Sequence, residues 1–235
     1  MKEKNRAWIT GIVEDVVKEV GEKINTTRLK NEAYVVSSRP VEHKTETLSS
    51  ENIKAHQELM EGYVKSLNEI SAKLDVADRE NVGPNSSEFR SLKIDESYNM
   101  NASFLHGMFF ENIGDVSSKL TTDSISFMRL ERDWGSFDNW QKDFIACALS
   151  ARNGWVVTCY NVYLKRYVNV IINLHSSDVP VGSIPVIVLD CWEHSYYSDY
   201  KKDRKSYVFD MMRELRWSKI EERFESADEI AKVMR

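Results

Sequence analysis

Apolar positions recur at helical spacing along the first half of the chain and give way to short, dense apolar runs in the second. Residues 7–24 carry Trp8, Ile9, Ile12, Val13, Val16, Val17, Val20 and Ile24, the period of a helix with one apolar face. Such a face either packs on its own domain or docks on another protein. Residues 26–48 are polar and β-branched with one proline and read as an extended connector. Ser49, Ser50, Glu51 and Asn52 give a helix-start signal, and Ile53, Leu59, Met60, Tyr63, Val64, Leu67 and Ile70 carry a predicted helix over roughly 50–75. Residues 76–98, with Gly83-Pro84-Asn85-Ser86-Ser87, read as a loop. A second long helix is predicted over 99–121 through Phe104, Met108, Phe109, Phe110 and Ile113. Two long helices joined by a modest loop suggest an antiparallel hairpin.

Beyond it the period changes. Residues 137–150 read as a helix, and 154–160, 163–174 and 184–190 as strands, with a tight hairpin at Asn161-Val162. Residues 192–227 return to helix, anchored by Trp217 and Phe224. Helices, then a small, mostly antiparallel sheet, then helices make an α+β pattern. Three segments follow: 1–34, an amphipathic helix and connector; 35–125, a helical hairpin; and 126–235, an α/β domain.

Bulk properties narrow the function classes. A net charge of −5 disfavours a broad basic surface, so nucleic acid is expected only as an indirect partner. No apolar stretch reaches the length of a membrane span, and the N-terminus lacks the apolar core of a signal peptide. Cys147, Cys159 and Cys191 lie singly in apolar segments, without zinc or disulfide spacing. Buried thiols in a reducing intracellular compartment are expected, with a mitochondrion or a virion also compatible.

The chemistry concentrates in Asp190-Cys191-Trp192-Glu193-His194-Ser195-Tyr196-Tyr197, which closes the apolar run Ile184–Leu189. An acid at a strand's end and a histidine four residues on can point into one site. Carboxylate plus imidazole suits Mn, Fe or Zn. The run resembles the D-x-W-E-H-A-Y-Y signature of the iron/manganese superoxide dismutases. Further pieces in family order strengthen the resemblance: Gly62-Tyr63-Val64-Lys65-Ser66-Leu67-Asn68, Leu105-His106-Gly107-Met108-Phe109-Phe110, Asp178-Val179-Pro180-Val181, and Trp217 followed by Glu222-Arg223-Phe224. It covers about 35–227 and implies a helical hairpin followed by an α/β domain with a three-stranded antiparallel sheet.

The resemblance implies a metal, Fe or Mn, held by His106, Asp190 and His194, with Tyr63 as a proton-relay phenol. It implies a subunit interface at Glu193, His194 and Tyr197, with an identical or a related partner. It also exposes departures. The family's remaining histidine ligand lies eight residues before the Tyr of G-Y-V, where this chain has Ala55. His56 is adjacent, but one helical residue is a turn of about 100°, so it is expected to face away unless the helix bulges. Leu59 replaces a funnel histidine, Val157 replaces the second Trp of G-W-x-W, and Ala102 and Ser177 occupy the two places that supply the outer-sphere Gln. His43, His56 and His175 show no ligand spacing and read as surface or local hydrogen-bonding residues. These departures favour a degenerate, structural subunit of a larger assembly, such as a mitochondrial ribosome small subunit or a phage virion. It would be metal-free or loosely metallated and docked through residues 7–24. The alternative is an active or weakly active superoxide dismutase.

Overall fold

A computed structural model describes residues 33–38 and 45–234. The predicted helix over 7–24 and His43 lie outside the described residues. Helix α1 spans Ser50–Val76. Ser49 Oγ accepts the Asn52 N–H at 3.1 Å and starts it. Its buried stripe runs Ile53, His56, Met60, Val64, Leu67, Ile70, Leu74, in steps of three and four. Helix α2 spans Glu88–Asn112 rather than 99–121. Ser87 starts it, its Oγ accepting the Arg90 N–H at 3.4 Å. The first turns look polar because a buried position is Glu96, which accepts the Tyr34 hydroxyl at 2.9 Å and pairs with Lys93. The helix stops before Gly114, whose φ of 90° breaks the helical path.

The chain packs as two units. In the first, described over 33–38 and 58–104, Ile70, Leu74 and Leu92 form an apolar cluster with Ala77 and Phe89. The extended segment 33–38 is held by side chains. Tyr34 N–H donates to Ser71 Oγ and Val36 N–H to Asn68 Oδ1, both at 2.7 Å, while Asn68 Nδ2 donates to the Val36 carbonyl at 2.9 Å.

The second unit, described over 45–57 and 105–234, holds the sheet. Helix α3 (Ile125–Trp134), not anticipated from the pattern, is capped by Ser124 and ended by Gly135 in a left-handed conformation. Helix α4 (Phe137–Ser150) is capped by Ser136. Strands β1 (Gly154–Asn161), β2 (Arg166–Asn173) and β3 (Ser183–Asp190) form an antiparallel sheet in the order β2-β1-β3. Every β1 residue is buried, as its central place requires. A Cβ on Gly154 would sit 2.1 Å from the Ile172 carbonyl oxygen, so only glycine lets these strands close. The hairpin is wider than Asn161-Val162: Asn161 Oδ1 accepts the Tyr163 and Leu164 N–H groups, and Lys165 takes φ 55°.

The predicted helical stretch after β3 is three helices: α5 (Glu193–Tyr200), α6 (Arg204–Arg213) and α7 (Trp217–Val233). Trp140, Phe144, Trp155, Tyr167, Tyr207 and Phe224 are fully buried and account for much of the apolar area removed from water. Asn112 treats β3 as a neighbouring strand would. Its Nδ2 donates to the Val188 carbonyl at 3.0 Å and its Oδ1 accepts the Val188 N–H at 3.2 Å. Arg223 Nη1 donates to the adjacent Val186 carbonyl and to Asn112 Oδ1. Among the described residues no helix is long and apolar enough to cross a membrane.

Candidate metal centre

Four elements of the second unit deliver one donor each to one point. β3 ends on Asp190, α5 places His194 one turn later, α2 supplies His106, and the first turns of α1 supply His56. Asp190 Oδ2 lies 3.1 Å from His56 Nε2, 3.2 Å from His194 Nε2 and 3.7 Å from His106 Nε2. The four ligand atoms all lie within 4.8 Å of one another. His56, His106 and Asp190 are buried, and the His194 side chain is 26% exposed.

Asp190 is fixed on every other side. Its Oδ1 accepts the Trp192 N–H at 2.8 Å, and its carbonyl accepts the Tyr207 hydroxyl at 2.8 Å and Ser195 Oγ at 3.3 Å. Burial alone would raise its carboxyl. The charge of His194 and the hydrogen bonds from His194 and His56 outweigh burial and hold it well below the usual carboxylate range. Burial also lowers the His56 imidazole, against the opposing pull of Asp190. The result is an ionised carboxylate beside a buried imidazole that favours its neutral form, the forms in which these groups bind a metal.

Donors about 2.1 Å from a shared ion stand roughly 3–4 Å apart, and the spacings around Asp190 Oδ2 match. Three imidazoles and one carboxylate suit iron and are compatible with manganese. The residues present can therefore hold such an ion.

The fourth donor corrects the expectation of a gap. Ala55 is exposed, whereas His56 is 2% exposed and inside the cluster. Counting back from Tyr63 pointed to Ala55, but in the unbroken helix α1 the buried stripe passes through His56 instead. Ser49 caps the helix, Asn52 Nδ2 donates to the Ser195 carbonyl, Ser198 and Asp199, and Ile53 is buried. His56 continues that stripe one turn on. His106, Asp190 and His194 are brought together. Tyr63 lies in the first unit, half-buried, its ring 6.3 Å from that of Tyr98. Glu193 and Tyr197 are exposed.

His175 was missed. It is fully buried, and Trp155 Nε1 donates to its Nδ1 at 3.0 Å. Its ring stacks on Trp192 at 5.0 Å and lies 5.7 Å from that of His106. An indole N–H can only donate, so His175 Nδ1 is the acceptor and Nε2 carries the proton. Burial lowers its pKa to about 4, so it is neutral at physiological pH. The pairing of Asn173 with Gly154 was the available signal, since it brings the chain just past β2 alongside Trp155. Among the described residues Ser177 is exposed and Ala102 belongs to the first unit.

Comparison with known proteins agrees with this architecture. Residues 124–223 match the family described as iron/manganese superoxide dismutases, C-terminal domain. The chain is 33% identical over 186 residues to superoxide dismutase [Fe] of Aquifex aeolicus, covering 77% of this chain and 86% of that protein. It is 34% identical over 178 residues to superoxide dismutase [Mn] 1 of Halobacterium salinarum, covering 74% and 84%. It is 34% identical over 168 residues to superoxide dismutase [Fe] of Cupriavidus metallidurans, covering 71% and 82%. With a relative above 30% identity aligned over more than two thirds of its length, the chain belongs to the iron/manganese superoxide dismutase family.

Proposed function

We propose that the chain is a working superoxide dismutase, converting two superoxide anions and two protons to dioxygen and hydrogen peroxide. One observation carries this reading: His56 Nε2 stands 3.1 Å from Asp190 Oδ2, so the set of three histidines and one aspartate is whole. Of the departures that favoured a structural subunit (Ala55, Leu59, Val157, Ala102 and Ser177), the first concerns a metal ligand, and His56 would take its place. His56, His106, Asp190 and His194 would hold iron or manganese, which provides the one-electron chemistry when bound. The protein's own part is to keep Asp190 ionised and His56 neutral, exclude bulk water with His106, Trp155 and His175, and hold a proton at a defined atom. His175 Nε2–H, fixed by Trp155, is that atom beside the cluster, a role in which a neighbouring group tunes the metal site.

We further read Glu193 and Tyr197 as surface for a second, identical subunit. They are exposed next to His194, the one ligand with solvent access. Purified protein is expected to carry about one iron or manganese per chain and to dismutate superoxide. His56→Ala should lose both, while Ala55→Ser should keep both. Metal-free, inactive wild-type protein would return the structural-subunit reading, whereas a fully loaded and active His56→Ala would remove His56 from the ligand set.

A further inference from the structure

The two edges of the sheet are treated differently. The outer edge of β3 is covered by Asn112 and Arg223. On β2 the outward backbone groups belong to odd-numbered residues: Tyr167 N–H donates outward to Asp133 Oδ2, and Asn173 N–H to the Ser177 carbonyl. Between these ends lie Asn169 and Ile171. Among the described residues no hydrogen bond reaches the outward N–H groups of either. The stretch Tyr167-Val168-Asn169-Val170-Ile171-Ile172-Asn173 has no charge and no proline, and the register shift of the sheet falls between β1 and β3. Between Asp133 and Ser177, which cover the two ends, the middle of this edge therefore carries no charge, proline or bulge to keep it from pairing.

We propose that β2 pairs antiparallel with β2 of a second copy of this chain, about a two-fold axis beside Val170. In that register Asn169 faces Ile171 of the other copy, and the two residues exchange N–H···O=C bonds in both directions, four bonds in all. Charge selects the antiparallel copy. Lys165 and Arg166 are exposed at one end of the strand, and Asp178, tied by Asn173 Nδ2 at 2.7 Å, is exposed at the other. A two-fold sets the basic end of each strand against the acidic end of its mate, whereas parallel pairing would set like against like.

The test is hydrogen–deuterium exchange and light-scattering mass on the full chain across a dilution series. The Asn169 and Ile171 amides should be protected in concentrated protein and exchange freely on dilution, as the mass falls twofold. Ile171→Pro removes an outward N–H that makes no bond within the chain, the position at which an edge strand tolerates proline. It should abolish the protection at Asn169 and halve the mass while metal content and far-UV circular dichroism stay unchanged. Should Ile171→Pro unfold, Arg166→Asp should separate the copies and Arg166→Asp with Asp178→Lys should rejoin them. Fast exchange at both amides at every concentration overturns the proposal, as does undiminished mass in a folded Ile171→Pro.

Discussion

At the scale of single residues the centre depends on which atom of each histidine carries a proton. Trp155 settles this for His175 by donating to Nδ1. His175→Phe would keep the ring stacked on Trp192 but leave the Trp155 N–H buried and unpaired, at a cost of about 1–3 kcal/mol. Metal content is expected to hold while turnover falls by about a hundredfold, read as superoxide decay on metal-quantified protein. Unchanged turnover would make His175 a packing residue only. Asp190 and His194 stood out in the sequence because strand end and helix start fall within five residues, so local spacing fixes their meeting. His56 and His175 did not, for two reasons. A ligand's place on a helix follows the face that is buried, and His56 lies on the buried stripe between Ile53 and Met60 while Ala55 does not. His175 is placed by a partner twenty residues away.

At the scale of elements, strand spans were legible to within a few residues because β1 and β3 are near-continuous apolar runs. The start of α2 was not, since its buried Glu96 reads as a surface residue until Tyr34 is seen to occupy it. Helix α3 escaped notice because Ser126 and Leu130 are its only buried residues. Asn112 joins an element's end to another's edge, and its loss should be felt in both. Asn112→Leu leaves the Val188 N–H and carbonyl without partners. It is expected to lower stability by roughly 2–4 kcal/mol, measured by urea unfolding of metal-free protein. A change below about 0.5 kcal/mol would mean that water replaces the amide.

At the scale of the whole molecule, the α+β order was legible because hydrophobic period alone separates long helices from short strands. Acid sensitivity belongs at this scale too. His175 falls from an ordinary 6.5 to about 4 in the folded protein, and burial lowers His56 in the same direction. Between those values the unfolded chain binds more protons than the folded one. The His175 contribution is therefore intact above pH 6.5 and lost as pH falls toward 4, and that of His56 runs in the same direction. Metal-free protein should be less stable at pH 5 than at pH 7.5 by about 2 kcal/mol from His175 alone. Denaturant midpoints at the two pH values check this, and equal midpoints would contradict a neutral buried His175. The covering of β3 by Asn112 and Arg223 has a consequence for growth. A sheet open at both edges can add copies without end, as in a fibre. Here one edge is shut within each chain, so joining through β2 makes a six-stranded sheet with both outer margins sealed, and polymerisation along the sheet ends at two copies.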